Sequence, residues 1–237
     1  MRLFAGESMG EMSRFLIALV FAALLAGPAR ADYAAALQAL HKGDFATARA
    51  ELEPLAEAGN PAAQFNLGRM YQRGDGVAAD LAVARDWFQK AADQGLVEAQ
   101  MAMGDLFARG QGVEKDMTAA ADWYRKAADQ GNLAAMNNLG TMASLGDGRP
   151  KDEAEALRWF TAAAEKGLAD AQYNLGIVYA RGEGVPVDLV ASYKWFRLAA
   201  NRGDEDALQA IDAISPVMKP EEIDAAEAAA RDWFVAP

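Results

Sequence analysis

Residues 63–95 read AQFNLGRMYQRGDGVAADLAVARDWFQKAADQG, and residues 171–203 read AQYNLGIVYARGEGVPVDLVASYKWFRLAANRG. Between them the chain repeats this pattern twice more, always with a period of 36 residues and without an insertion. The period is kept by one tryptophan, one internal glycine and one closing glycine per unit: Trp87, Trp123, Trp159, Trp195; Gly68, Gly104, Gly140, Gly176; Gly95, Gly131, Gly167, Gly203. A period of about 20 to 50 residues is typical of a solenoid or repeat array.

Each unit is predicted to form two helices. In residues 61–96, Pro61 suits an early helical position, and apolar residues follow it at helical spacing. Gly74 and Gly76 supply the backbone freedom for a turn, and Asp80 is a natural N-cap for the second helix. Gly95 then stands where that helix is expected to end.

The glycine inside each first helix needs a structural reason, because a helical glycine costs about 1 kcal/mol relative to alanine. We expect a close approach of the two helices, with the tryptophan of the second helix packed against the bare backbone of Gly68 and its equivalents. The four tryptophans are accordingly interpreted as core residues and not as ligand contacts.

The order of Leu-Gly, an aromatic, G-x-G-V, aspartate, tryptophan, Ala-Ala and a closing glycine resembles the Sel1-like repeat family. The resemblance implies an all-α fold, a right-handed α-α superhelix related to tetratricopeptide proteins, which scaffold complexes or regulate partners. The expected repeats are 61–96, 97–132, 133–168 and 169–204. The third repeat departs from the pattern at Ala143 and Arg149-Pro150, so its first helix should pack less well.

Both flanks are predicted to be helical caps, which terminal repeats of a solenoid need for solubility. Residues 32–60 are predicted to form a capping helix pair. Residues 205–237 are predicted to form a partial repeat followed by a C-terminal capping helix. This last helix, opening at Pro220, is expected to cover the exposed end of the stack.

The N-terminus has the features of an export signal. An unbroken apolar run covers residues 15–26, and Ala29-Arg30-Ala31 fits a signal-peptidase site. We expect cleavage after Ala31 and a periplasmic or secreted product without a stable membrane span; an uncleaved anchor helix is the alternative. Met12 is the expected true start, since residues 1–11 contain acidic residues where a signal peptide favours positive charge.

Composition argues against most catalytic and cofactor chemistry. The net charge of −11 disfavours binding to nucleic acid, and the chain contains no cysteine and a single histidine, His41. Cysteine–histidine metal clusters and Cys–His pairs are therefore excluded. Some secreted relatives are disulfide-stapled and linked to β-lactam binding or hydrolysis, and the missing cysteines argue against carrying that activity over. We expect no cofactor, no metal and no enzymatic activity.

A partner is expected to bind the groove formed by the stacked first helices. By analogy with tetratricopeptide proteins, three sets of positions would face it. The first set is Phe65, Met101, Asn137 and Tyr173; the second is Arg69, Asp105, Thr141 and Ile177; the third is Arg73, Arg109, Leu145 and Arg181. The first two sets vary between units, as a specific ligand would require, although tolerant surface positions would vary too.

Two recurring polar types in this groove have alternative interpretations. The arginines of the third set end first helices, where they either favour the helix dipole or form a row that binds anions. Asn66, Asn138 and Asn174 either clamp a neighbouring segment or bind an extended peptide.

The leading hypothesis is a non-catalytic adaptor for a protein of the cell envelope. A module that binds glycan or peptidoglycan fragments is the alternative, and a hydrolase lacks a recognisable constellation.

Overall fold

The computed structural model describes residues 31–235 of the chain, with side chains described to Trp233. The predicted signal peptide, apart from Ala31, lies outside the described residues. The expected start at Met12 lies outside them too. The described part consists of helices joined by short turns, which confirms the predicted all-α repeat fold.

Helices alternate between a first and a second member of each pair. The N-terminal pair is α1 (Tyr33–Lys42) and α2 (Phe45–Glu57). The four repeats contain α3 (Pro61–Arg73) and α4 (Leu81–Asp93), α5 (Val97–Arg109) and α6 (Met117–Asp129), α7 (Leu133–Leu145) and α8 (Glu153–Ala164), and α9 (Ala169–Arg181) and α10 (Leu189–Ala200). Helix α11 (Glu205–Ile214), a 3-10 turn (Ser215–Val217) and α12 (Pro220–Val235) complete the described chain.

The helix boundaries follow from capping residues, of which the closing glycine of the first helix and the aspartate cap of the second helix recur in every repeat. Pro61 occupies the start of α3, and Gly74 closes this helix in the left-handed conformation with φ 78°. The Asp80 carboxylate accepts hydrogen bonds from the amides of Ala82 and Val83 at the start of α4. The same aspartate cap begins the other second helices: Asp116, Asp152 and Asp188.

Packing joins each helix to its neighbours along the chain. A first helix packs against the second helix of its own unit, and that second helix packs against the first helix of the next unit. The core is rich in alanine and leucine; Leu67, Leu106 and Leu175 are all almost completely buried. Because every unit buries its apolar face against the next, stability depends on stacking and not on one central core.

The internal glycines do allow a close helix approach, but the expected partner is wrong. A Cβ added at Gly68 would lie 2.7 Å from the ring of Phe88, and at Gly104 only 2.5 Å from Tyr124. Gly140 and Gly176 face Phe160 and Phe196 in the same way. The residue after each tryptophan therefore packs against the bare backbone.

The tryptophans lie beside this contact and are partly covered by cations. Trp87 is half-buried and Trp123 is 9% exposed. Lys90 lies 3.9 Å from the ring centroid of Trp87, and Lys126 lies 3.6 Å from that of Trp123. Such cation–π contacts suit aromatic rings at the edge of a core, where the ammonium group still reaches water.

The G-x-G turns also join neighbouring repeats. A Cβ at Gly112, which has φ +70°, would lie 2.5 Å from the carbonyl oxygen of Leu81 at the start of the preceding second helix. A Cβ at Gly148 would lie 2.6 Å from the backbone of Met117, and one at Gly184 would lie 2.9 Å from that of Glu153. These glycines thus provide both a left-handed turn and space for the next backbone.

The C-terminal helix folds back on the last repeat. Helices α11 and α12 both pack against α10. The Tyr193 hydroxyl donates to Glu227 Oε1 at 2.9 Å, and Arg197 forms an ion pair with the same oxygen at 2.5 Å. In residues 31–235, no helix is both long enough and apolar enough to cross a membrane.

Candidate protein-binding surface

The predicted groove positions all lie on first helices, and we call the surface that they form the first-helix face. Its members are the twelve positions of the three sets together with Asn66, Asn138 and Asn174. The first two sets are half-buried, whereas the third set is exposed in every repeat. The face therefore combines a partly covered floor with a fully solvated edge at the C-terminal ends of the helices.

Two aromatic members of the floor are structural contacts as well as surface residues. Phe65 packs against Phe88 with ring centroids 5.5 Å apart, and Tyr173 packs against Phe196 at the same distance. Because Phe88 and Phe196 also face the helix glycines, Phe65 and Tyr173 extend the aromatic packing of the core to the first-helix face.

A hydrogen bond within the second repeat occupies another floor position. The Tyr124 hydroxyl donates to the Asp105 carboxylate at 2.7 Å. Burial, followed by this hydrogen bond to a carboxylate, raises the pKa of Tyr124 well above its ordinary value. Asp105 is thus held in place by its own repeat.

The asparagines mainly connect neighbouring first helices. Asn174 donates through Nδ2 to Asn137 Oδ1 at 2.9 Å, which joins α9 to α7. Asn66 donates to the Tyr33 hydroxyl of α1 at 2.9 Å and to the carbonyl of Ala62. These bonds favour the clamping interpretation and remove the support that free asparagines would give to glycan binding.

The third set differs between repeats in its freedom to bind. Arg181 forms an ion pair with Glu183 at 3.6 Å, whereas Leu145 is 67% exposed. Arg73 lines a cavity with Arg69. The row of arginines expected from the sequence is therefore interrupted by Leu145, and its members have different surroundings.

Sequence reasoning missed a cavity of about 530 Å³ at the N-terminal end of the first-helix face. It lies between α1 and α3, and α1 contributes Leu37, Leu40 and His41 to its lining. From the sequence, helix α1 is expected to act only as a cap. The available signal was the short connection at Gly43-Asp44, where the other units have a longer G-x-G turn.

Sequence reasoning also missed a buried glutamine in three of the four repeats. Gln64, Gln100 and Gln172 are each less than 5% exposed, and each donates to a carbonyl at the end of the preceding second helix. Recurrence at 36-residue spacing was the signal, although the third repeat carries Met136 instead. Sites with three or more acidic, histidine or cysteine ligands for a metal are not found within residues 31–235.

The family profile of the Sel1 repeat matches residues 61–96, 97–132, 133–168 and 169–204, which together cover more than half of the chain. The chain belongs to the Sel1 repeat family. These bounds coincide with the four repeats read from the 36-residue period. Sel1 repeats generally form scaffolds for protein interaction.

Two solved structures share this Sel1 repeat architecture at more than 30% identity. One is a protective antigen of uropathogenic Escherichia coli strains displaying an SLR fold, with 35% identity, a TM-score of 0.72 and 80% of this chain covered. This chain spans only 41% of that antigen's length. The other is a Sel1 repeat protein from Oxalobacter formigenes, with 32% identity, a TM-score of 0.73, and 77% and 75% of the two chains covered. A comparison with curated proteins found no significant match.

Proposed function

We propose that this Sel1 repeat chain is a non-catalytic adaptor or regulator of the cell envelope, periplasmic or secreted, which binds a protein partner along its first-helix face. The observation that carries the proposal is the contrast between a repeated core and a face that changes from unit to unit. The equivalent positions Arg69, Asp105, Thr141 and Ile177 are all half-buried, yet they differ in charge, polarity and size. A non-repeating protein surface can be recognised by such a row.

The export part of the proposal rests on the sequence of the N-terminus. The apolar run of residues 15–26 and the Ala29-Arg30-Ala31 pattern support cleavage after Ala31. N-terminal sequencing of the protein recovered from the envelope tests this directly. Asp32 at the start of the recovered protein is expected, and an intact apolar run would contradict it.

Photo-crosslinking in the native envelope tests the binding face. Phe65 and Tyr173 are unsuitable positions for the photoreactive residue, because they pack on the buried rings of Phe88 and Phe196. The photoreactive residue is better placed at Leu145, which is 67% exposed on the first-helix face. Arg158 is the matched control, since it is exposed on the second helix α8 of the same repeat.

A discrete adduct from position 145 and none from position 158 would support the adaptor function, and mass spectrometry would identify the partner. Equal labelling from both positions, or none from either while the helical circular dichroism signal is unchanged, would contradict it.

A further inference from the structure

The cavity between α1 and α3 differs from the rest of the first-helix face in its concentration of positive charge. Arg69 and Arg73 both line it, one helical turn apart on α3. Across residues 31–235, the ion pairs involve neither arginine. Arg69 lies over the ring of Phe65, with 5.8 Å between the guanidinium carbon and the ring centroid, a contact that leaves its positive charge uncompensated. In a chain with a net charge of −11, two guanidinium groups without a carboxylate partner at one cavity attract an anionic ligand.

The equivalent positions of the later repeats do not reproduce this pair. Asp105 replaces Arg69 in the second repeat and accepts the Tyr124 hydrogen bond. Leu145 replaces Arg73 in the third repeat, and Arg181 of the fourth is paired with Glu183. Among the four repeats, two arginines without a carboxylate partner on one first helix are therefore particular to α3. The neighbouring N-terminal helix pair is joined by Gly43-Asp44 and not by a G-x-G turn.

Apolar side chains also line the cavity, beside His41 and Asn66. Leu37 is 42% exposed, Leu40 and Phe45 are half-buried, and Met70 is 1% exposed. An exposed leucine beside a cavity of about 530 Å³ leaves apolar surface for a ligand to cover. The ligand must therefore present an apolar group next to its negative charge.

The charge count of the lining favours a carboxylate. Asp75 lines the same cavity as Arg69 and Arg73, and His41 counts as neutral, so the lining carries a net charge of about +1. A carboxylate monoanion complements this charge, whereas a phosphate dianion would leave excess negative charge beside Asp75. Arginine forks also match the planar geometry of a carboxylate.

We infer that this cavity binds an acidic segment of the partner protein, with a carboxylate held by Arg69 and Arg73 and a neighbouring apolar side chain against Leu37 and Leu40. The inference rests on the proposed function, since it specifies the chemistry that the partner presents to one end of the first-helix face. Helix α1 is then part of the binding site and not only a cap.

Binding of defined peptide mixtures to the purified full chain tests this inference. The probes are acetylated, amidated pentapeptide libraries in which the central residue is fixed as Asp, Glu, Lys or Gln. The Asp and Glu libraries should bind at least about tenfold more tightly than the Lys library, and added salt should reduce this difference.

Variants at the cavity test whether the acidic preference arises there or elsewhere on the protein surface. Arg69→Gln with Arg73→Gln should abolish the acidic preference, and Asp75→Asn should strengthen binding of the acidic libraries. The matched control, Arg158→Gln with Arg231→Gln, changes two exposed arginines outside the first-helix face and should leave the preference intact. Thermal unfolding followed by circular dichroism checks that each variant remains folded.

Three outcomes would overturn the inference. Equal binding of acidic and basic libraries would do so, as would an acidic preference that survives the Arg69/Arg73 variant. In the latter case a protein-binding face would remain supported while the cavity would not. Binding of N-acetylmuramic acid that depends on Arg69 and Arg73, without any peptide binding, would assign the site to glycan and contradict the adaptor proposal as well.

Discussion

Gln94 donates through Nε2 to Oε1 of the buried Gln64 at 2.8 Å, and Gln64 in turn donates to the carbonyl of Ala56 at 3.0 Å. The next repeat contains the same two hydrogen bonds, in which Gln130 donates to Gln100 and Gln100 donates to the carbonyl of Ala92. In each repeat the buried glutamine donates to the carbonyl at the end of the preceding second helix. Its own side-chain oxygen accepts a hydrogen bond from the glutamine in the turn after the second helix of the same repeat. The glutamines therefore connect consecutive units through a fully paired polar network.

Replacing Gln100 by methionine tests the stabilising role of this network. The third repeat carries methionine at the equivalent position, Met136, so the side chain is compatible with the fold. Gln100→Met removes the bonds of Gln100 to the Ala92 carbonyl and to the Gln130 amide, but both of these groups keep a bond to the backbone of Gly95. We therefore expect the free energy of unfolding to fall by about 1 kcal/mol. Chemical denaturation measures this change. Gln38→Met is the control, since Gln38 is exposed on α1, and an equal loss in the two variants would contradict the role.

The sequence predicted the helices well because their ends carry local signals. Pro61, Gly74 and Asp80 act within one or two turns of the residues that they cap, so their spacing alone indicates where helices begin and end. The choice between Trp87 and Phe88 as the partner of Gly68 could not be made in this way. Adjacent residues differ by about 100° around a helix, and that rotation is fixed by packing against two neighbouring helices.

The positions of the first-helix face were predictable, but their freedom to bind was not. Asp105 accepts a hydrogen bond from Tyr124, and Asn137 accepts one from Asn174 in the next repeat. These partners lie on other helices, so no local pattern reveals them. The cavity beside Arg69 was missed for the same reason, since four of its nine lining residues come from the preceding helix pair.

Gly104→Ala tests the close contact between first and second helices. Alanine favours a helix by about 1 kcal/mol over glycine, but its Cβ would lie 2.5 Å from Tyr124 Cε1. Overpacking of a core costs about 1 to 3 kcal/mol, so we expect a net loss of stability and a weakened bond from Tyr124 to Asp105. Urea denaturation provides the measurement.

Two further variants interpret the Gly104→Ala result. Ala134→Gly, at an exposed position of α7, measures the effect of helix propensity alone in this protein. Tyr124→Leu combined with Gly104→Ala should recover part of the loss, because the smaller side chain can give way, and this coupling would appear in a double-mutant cycle. A stabilising effect of Gly104→Ala by itself would show that the contact is not tight.

Tyr124 should make the protein sensitive to alkaline conditions. Burial and the hydrogen bond to Asp105 raise the pKa of Tyr124 in the folded state, whereas in the unfolded chain a tyrosine ionises at about 10. Above that pH the unfolded state loses a proton that the folded state keeps, so stability falls as the pH rises. Tyr124→Phe should reduce the loss of stability between pH 8 and 11. Identical pH profiles for the two proteins would contradict this assignment.

Glu227 holds the C-terminal helix on the last repeat. Its carboxylate accepts the Tyr193 hydroxyl and pairs with Arg197, and all three side chains lie at the contact between α12 and α10. Because the pair is only partly buried, Glu227→Ala should lower the free energy of unfolding by only about 1 kcal/mol. The local effect should be larger than the global one, since α12 packs mainly against α10. Hydrogen exchange should therefore become faster in α12 while α3 to α6 keep their protection.

Asp224→Ala, at an exposed position of α12, should leave the exchange pattern unchanged. Faster exchange throughout the chain would instead mean that α12 supports the whole stack, as a cooperative cap would.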